Sequence, residues 1–313
     1  MVRDSVVIIG SGLMGSGIAA VCALSGNKAV LVDTRMEKAC EGFHHALENA
    51  GELCNNGLAP TDAIKLAESN ISYTDNLRAA LDSAALVIEA VYENLELKQS
   101  IFKEIDGILP PEIPLASNTS GLRITDIARD TKHPERTMTT HFWFPAHLVP
   151  LVEIVMSERT DEDIAKHVKK TISAWGKSPV LVKKDLPGQL ANRILQAVIR
   201  EAVNIVAMDL ASAEDVDTAV KMGMGIRFPA WGPLEHIDAV GLDLAVSVQN
   251  TVLPGISAEK TANEYLERLV QDKQLGYKSG KGIYDWSVKD MDQLAAKRNS
   301  FIIQALKFLE SNE

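Results

Sequence analysis

An α/β domain built on a mostly parallel sheet, followed by a domain made only of helices, is the architecture this sequence predicts. Two observations carry the prediction. Over the first 186 residues, short apolar runs rich in β-branched residues alternate with longer stretches of helical periodicity, the pattern of right-handed βαβ units. After Asp185-Leu186-Pro187-Gly188 the strand-like runs stop and long helical patterns take over. A third observation, the glycine-rich turn at 10–17, fixes where the first helix begins.

In chain order, residues 5–9 read as a strand and 13–25 as the helix that follows the glycine turn. Residues 29–32 form a second strand, 35–56 a long helix, and 61–68 another helix with Pro60-Thr61-Asp62 as its start signal. Further strands fall at 85–90, 114–116, 138–141, 151–155 and 179–182, with helices at 95–108 and 161–175. The second half reads as helices at 189–208, 213–222, 242–252, 258–271 and 291–309. Ser212 with Asp215 has the form of an N-terminal cap for the second of these. Beyond residue 187 the one strand-like trace is Gly282-Ile283-Tyr284, so the expected domains are 1–186 and 187–313.

Length and composition agree. A chain of 313 residues holds about two domains, and 46% hydrophobic with 24% charged residues is the balance of a folded globular protein. The net charge of −10 argues against binding a nucleic-acid backbone or an anionic membrane surface. No apolar run reaches the roughly 18 residues of a membrane span, and Met1-Val2-Arg3-Asp4 leads directly into the first strand without the pattern of a signal peptide. Cys22, Cys40 and Cys54 are odd in number and lack metal-ligand spacing, which fits reduced thiols in the cytoplasm.

The glycine turn reads Gly10-Ser11-Gly12-Leu13-Met14-Gly15. It follows a strand, opens a helix, and leads to a second strand ending at Asp33, 18 residues after Gly15. That context marks a Rossmann-type dinucleotide site. Gly10 allows the tight turn, Gly12 lets the backbone approach a pyrophosphate, and Gly15 lets helix and strand pack closely. The helix start offers unpaired N–H donors to the phosphates. Asp33 would accept hydrogen bonds from a ribose diol and repel a 2′-phosphate, favouring NAD over NADP.

His141 ends a strand, and Glu153 lies 12 residues on within Leu151-Val152-Glu153-Ile154-Val155. A carboxylate inside so apolar a strand is costly unless paired. A histidine partner would have its tautomer fixed by the carboxylate and could then work as a general base. Read from the residues alone, a structural pair of a core histidine and a strand glutamate is the alternative.

Seven stretches together resemble the 3-hydroxyacyl-CoA dehydrogenases along nearly the whole chain. They are Gly10-x-Gly12-x-Met14-Gly15-x-Gly17-Ile18-Ala19, Leu86-Val87-Ile88-Glu89-Ala90-Val91-x-Glu93-Asn94 and Ala116-Ser117-Asn118-Thr119-Ser120. His141-Phe142-x-x-Pro145 with Leu151-Val152-Glu153 and Pro187-Gly188-x-x-x-Asn192-Arg193 follow. Gly232-Pro233 with Asp238 and Gly241-Leu242-Asp243, then Ser279-Gly280-x-Gly282-x-Tyr284, complete the pattern. The resemblance implies His141 as the general base on a substrate hydroxyl and Glu153 as its partner. It implies Ser120 and Asn192 as polar groups on the substrate, and the turn with Leu13 and Met14, together with Glu93, Lys98 and Lys278, as cofactor contacts. It also implies NAD as hydride acceptor and a homodimer formed through the C-terminal domain.

Three departures bear on the substrate. The family's His-Phe-Phe-Asn-Pro becomes His141-Phe142-Trp143-Phe144-Pro145, with a bulkier and drier wall. The region 36–70, roughly where the acyl-CoA enzymes bind the cofactor-like tail, holds Lys38 and Lys65 against Glu37, Glu41, Glu48, Glu52, Asp62 and Glu68, a balance that repels a polyphosphate. The stretch Gly223-Met224-Gly225-Ile226-Arg227-Phe228-Pro229-Ala230-Trp231-Gly232-Pro233 resembles the longer form of the λ-crystallin branch, which includes L-gulonate 3-dehydrogenase. So does the tail with its apolar stripe Leu294, Phe301, Ile302, Leu306 and Leu309. Arg227 suits a bidentate clamp on a free carboxylate, with an ion pair at the surface or dimer interface as the alternative. A free 3-hydroxy acid is therefore expected ahead of a CoA thioester. A non-catalytic NAD-binding protein and an aldehyde-oxidising relative stand behind them. His44-His45 lack a third metal ligand, and no metal is expected.

Overall fold

The computed structural model describes residues 3–311. The chain forms two compact units: one takes residues up to Leu190 and returns from Ile302 onward, and the other is Ala191–Phe301.

In the first unit the chain runs β1 (Ser5–Ile9), α1 (Leu13–Leu24), β2 (Lys28–Val32), α2 (Met36–Asn55), α3 (Ala63–Asn70) and β3 (Ile71–Thr74). Then come α4 (Leu77–Leu81), β4 (Ala84–Glu89), α5 (Leu95–Asp106), β5 (Leu115–Ser117) and α6 (Ile124–Ile127). The unit continues with β6 (Thr137–Phe142), β7 (Leu151–Met156), α7 (Glu162–Ser173) and β8 (Ser178–Val182). One eight-stranded sheet results, in the order β3-β2-β1-β4-β5-β6-β7-β8. Its pairs are parallel except β6 with β7, which run antiparallel and place His141 directly across from Glu153.

The central strands β1, β2 and β4 are largely apolar rather than alternating, because both faces of the sheet are covered there. Along β1, Val6 and Ile8 pack into one core with α1, α2 and α7, while Val7 and Ile9 pack into a second core with α5 and α6. The reversal of strand order falls between β1 and β4, which neighbour each other while their onward connections diverge. In open α/β sheets the crevice at the carboxyl ends of such strands is where ligands bind. A Cβ on Gly15 would overlap the carbonyl oxygen of Gly10, so α1 can sit this close to the turn only with glycine there.

The second unit contains α8 (Ala191–Ala207), α9 (Ala213–Ala219), a wide π turn at Val220–Gly225, α10 (Pro233–Val240), α11 (Leu242–Val252) and α12 (Glu264–Gln271). The last helix, α13 (Met291–Glu310), starts in this unit and ends in the first, where Ile303 is buried and Ile302 packs beside it on the α1–α2 core. None of the residues of α8 to α12 is buried. Large apolar side chains such as Leu244 and Val248 on α11 lie about half exposed, at 52% and 51%. Among the described residues no helix is long and apolar enough to cross a membrane.

Several elements differ from the sequence expectation for identifiable reasons. Strand β3, Ile-Ser-Tyr-Thr, is short, half polar and lies at the sheet edge, too weak a signal to stand out after α3. Asp62 makes no side-chain cap, and α3 starts only at Ala63. Residues 258–263 are not helical, because Asn263 caps α12 by accepting from the Tyr265 N–H. Helix α10 is absent from the sequence expectation, although Pro233 in its first turn and the Glu235 carboxylate accepting from the Gly232 N–H are ordinary start signals. The trace at Gly282-Ile283-Tyr284 forms no strand; isolated bridges join Gly276 to Lys281 and Lys281 to Asp285. The Ser212 cap is present, with its oxygen accepting from the Asp215 N–H at 3.1 Å.

Candidate active site

Three segments meet at the carboxyl end of the sheet: the glycine turn after β1, residues 90–94 after β4, and residues 118–121 after β5. The Ala90 N–H donates to Ile9 at 2.7 Å and the Asn118 N–H to Glu89 at 2.6 Å. A Cβ on Gly10 would press on the Ala90 carbonyl, whereas one on Gly12 would meet nothing within 4 Å. Gly12 therefore faces open space where a pyrophosphate needs to approach. It also stands at the N-cap of α1 without any side-chain cap. This cradle fits a dinucleotide.

Asp33 ends at the same rim. Its Oδ2 accepts from the Ser11 N–H at 3.0 Å and the Ser11 hydroxyl at 2.8 Å, and its Oδ1 from the Thr34 N–H at 2.8 Å. Partial burial works against its charge, yet these donors outweigh burial and hold the carboxyl below its ordinary value. The carboxylate is thus ionised and ties the glycine turn to β2.

Behind residues 90–94 lies a buried ion pair, Glu89 with Lys98, that reaches out to the exposed Glu93. Glu89 accepts from Lys98 Nζ at 2.6 Å, from the Val91 N–H at 2.7 Å and, on its other oxygen, from the Ser117 hydroxyl at 2.6 Å. Lys98 Nζ also donates to the Val91 carbonyl at 3.2 Å and lies 3.5 Å from Glu93. The nitrogen of Lys98, expected as a cofactor contact, is directed at three protein acceptors and is 1% exposed. Glu93 accepts from the Thr119 hydroxyl at 2.6 Å and from the N–H groups of Ser120 and Gly121 at 3.1 and 3.0 Å. Burial opposes its charge, and these donors with Lys98 prevail, lowering its pKa. Glu93 therefore carries a firm negative charge at the turn that presents Ser120.

His141 and Glu153 face each other across the antiparallel pair. His141 Nδ1 lies 2.8 Å from Glu153 Oε2, and Glu153 has no exposed surface. An ionised carboxylate only accepts, so beside one the hydrogen belongs on Nδ1, and in a neutral ring Nε2 then keeps its lone pair. The same Oε2 accepts from Trp143 Nε1 at 3.0 Å, and Oε1 accepts from the Leu190 N–H at 2.8 Å. Asn118 Oδ1 accepts from the Phe142 N–H at 2.8 Å, tying β6 to the segment that carries Ser120.

The first unit thus brings together Gly10, Gly12, Leu13, Met14, Gly15, Asp33, Glu93, Lys98, Ser120, His141 and Glu153 as parts of one sheet end. Asn192, Arg227 and Lys278 belong to the second unit. There Arg227 is exposed, its Nη2 lies 3.5 Å from His236 Nδ1, and the His236 ring packs on Trp231 at 5.1 Å. Lys278 sits at an apolar groove of about 540 Å³ with Leu269, Tyr284 and Trp286. Sequence reasoning misses Trp143, Asn118 and Glu89. Glu89 carries the signal used for Glu153, an acid in an apolar strand, with Lys98 nine residues on. Trp143 has only its position two residues after His141. Among the described residues no group of three or more His, Cys, Asp or Glu is placed to hold a metal ion.

Residues 5–186 match the family model of the 3-hydroxyacyl-CoA dehydrogenase NAD binding domain, and residues 188–286 that of the C-terminal domain. The chain is 32% identical, over the full length of both proteins, to 5-formyl-3-hydroxy-2-methylpyridine 4-carboxylate 5-dehydrogenase of Mesorhizobium japonicum. It is 35% identical to a probable 3-hydroxybutyryl-CoA dehydrogenase of Bacillus subtilis, covering 91% of this chain and 98% of that one. Among solved structures, a 5-formyl-3-hydroxy-2-methylpyridine 4-carboxylic acid 5-dehydrogenase described as an NAD⁺-dependent dismutase superposes with a TM-score of 0.90 at 31% identity, over 99% of each chain.

Proposed function

The chain belongs to the 3-hydroxyacyl-CoA dehydrogenase family and uses NAD, and on that basis we propose that it oxidises the secondary alcohol of a free 3-hydroxy carboxylic acid to the ketone. The observation that carries this reading is the buried His141–Glu153 pair at 2.8 Å, with the imidazole's second nitrogen left to act as a base.

NAD, when bound at the glycine turn, supplies the hydride acceptor. Gly10, Gly12, Leu13, Met14 and Gly15 would hold its pyrophosphate at the start of α1, and Asp33 would meet its ribose. Glu93, set by Lys98, and Lys278 complete the cofactor contacts. His141 Nε2 takes the hydroxyl proton as the carbinol is oxidised and returns it as imidazolium in reduction. Glu153 holds the ring and stabilises the cation. Such acid–base assistance is worth about 10²–10⁴-fold. Ser120 and Asn192 bind the hydroxyl oxygen.

Arg227 takes the substrate's free carboxylate by a two-pronged hydrogen bond. Among the described residues no carboxylate forms a salt bridge with its guanidinium, whose neighbour is the His236 ring. The acid-rich face of α2 and α3 disfavours the phosphates of a CoA tail. The full-length relative from Mesorhizobium acts, by its name, on a pyridine carboxylate that carries a formyl group, which favours a substrate with a free carboxylate; membership of the λ-crystallin-like branch is part of this proposal. The second reading, a CoA thioester substrate, is favoured by the Bacillus relative's name. The apolar faces that α8 to α12 leave exposed support a homodimer formed through the second unit. Three free cysteines support a cytoplasmic enzyme.

NADH absorbance separates the readings. The protein is given NAD with 3-hydroxybutyryl-CoA, free 3-hydroxybutyrate, gulonate, carnitine, and an aromatic aldehyde carboxylate. Turnover of free acids, lost in Arg227→Ala through a rise in KM of about 10²-fold, is the expected outcome. Turnover of the thioester alone overturns the free-acid reading.

A further inference from the structure

The connection from β6 to β7, residues 143–150, is long for an antiparallel pair, since hairpin loops usually take about 2–5 residues. Its first residues, Trp143 and Phe144, stand beside His141, with the indole on Glu153 and Phe144 half exposed. Its later residues are gripped from three separate elements. Ala146 and Leu148 are buried in the core, and a Cβ on Gly17 of α1 would come within 3.0 Å of Ala146 and 3.3 Å of the His147 nitrogen. His147 Nε2 lies 2.8 Å from Glu52 Oε2 on α2. Lys177, just before β8, donates to the carbonyls of His147 and Val149, both at 3.0 Å.

Lys177 is the unexpected member. It is 7% exposed, and the groups that accept from it are two neutral carbonyls. Burial lowers its pKa to about 7, so the ammonium is expensive to keep. Burial likewise lowers the pKa of His147 despite the Glu52 carboxylate, with Lys177 adding to the effect. Nothing in the hydride-transfer reading uses Lys177, His147 or Glu52. Each nevertheless ends on the segment that carries Trp143.

We propose that Lys177 and the Glu52–His147 pair are positioning residues, which clamp residues 146–149 so that Trp143 keeps its indole N–H on Glu153 and thereby sets the partner of His141. The proposal rests on the reading of His141 and Glu153 as the working pair, but its test does not use turnover. With the clamp closed, Glu153 Oε2 is shared between the imidazole and the indole. With it open, the indole leaves and water takes its place on that oxygen, while the Leu190 N–H stays on Oε1.

The experiment follows the Trp143 indole N–H and the His141 ring by NMR in the full-length protein, the indole signal being assigned with Trp143→Phe. In Lys177→Met and in His147→Leu, indole exchange with solvent should quicken about 10-fold or more while the amides of β6 and β7 stay protected. The His141 Nδ1–H resonance should move from its wild-type position, because water has replaced the indole on the oxygen it shares. His147→Gln, which retains an N–H for Glu52, should restore both signals. Where Lys177→Met does not fold, the two His147 variants decide by the same readings. Folded variants with wild-type indole exchange and a wild-type His141 Nδ1–H resonance overturn the proposal. A His141→Ala enzyme that still turns over would instead remove the catalytic reading and leave the clamp measurement standing.

Discussion

Strands of the first unit bury Val7, Ile8, Leu31, Val87 and Ile88 almost completely, whereas helices α8 to α12 of the second bury none of their residues. The first closes its own core on both faces of a sheet. The second presents Leu195, Leu244, Val248 and Leu253 to solvent. This difference decides where chemistry can be built. Buried charges need walls on every side, and the buried pairs Glu89–Lys98, Asp106–Arg136 and His141–Glu153 all lie in the first unit. The helical unit offers exposed groups instead, such as Arg227.

His141→Ala challenges this contrast most strongly. If the first unit holds a prebuilt acid–base site, kcat should fall about 10²–10⁴-fold. The affinity for NADH should stay within a few-fold of wild type, since the glycine cradle is untouched. Stopped-flow turnover with fluorescence titration of NADH separates the two. Unchanged kcat would mean that the pair at 2.8 Å is only structural.

The next test addresses the second unit. Leu244 and Val248 are one helical turn apart on α11 and half exposed. Buried in a dimer, each apolar side chain contributes about 1.5–3 kcal/mol. Leu244→Glu with Val248→Glu should therefore weaken self-association about 10²-fold or more, seen by sedimentation as a shift to monomer. The melting of the first unit should hardly move. A monomeric wild type would show that these helices tolerate water and that the contrast between the units is one of composition alone.

The same contrast explains what is legible in the sequence. Strands β1, β2, β4 and β7 are plain because burial on both faces writes a continuous apolar run, as in Ser5–Ile9. Edge strand β3 has only one well-covered face and reads as a polar tetrapeptide. In the second unit, helices without a core of their own carry apolar residues on several sides, so periodicity does not separate α9 from the wide turn at Val220–Gly225. At the site, the cost of an acid in an apolar strand locates Glu153. Its further donors, Trp143 and the Leu190 N–H, come from loops, whose approach no spacing rule foretells. Asp33 is placed by its distance from Gly15, while its bonds to Ser11 and Thr34 depend on the closure of the turn.

A slighter effect probes the cost of holding charge in the closed unit. Lys177 has an ordinary value of 10.5 that burial lowers to about 7. Below about 7 both folded and unfolded chains carry the proton, and the folded state bears the full cost of the buried ammonium. Between the two values the unfolded chain binds a proton that the folded chain has shed, so this group makes stability rise with pH. A pKa difference of one between folded and unfolded chains corresponds to about 1.4 kcal/mol; relaxation and water entry around a buried ion leave on the order of 1–3 kcal/mol in all. The stability of Lys177→Met relative to wild type should then be greater at about pH 6 than at about pH 10 by that amount, over a constant offset from the two lost hydrogen bonds. Urea melts at three pH values measure this directly. An advantage that stays constant with pH would mean that Lys177 is protonated throughout, with the two carbonyls solvating its charge, and that the first unit tolerates a buried cation more cheaply than its dry walls imply.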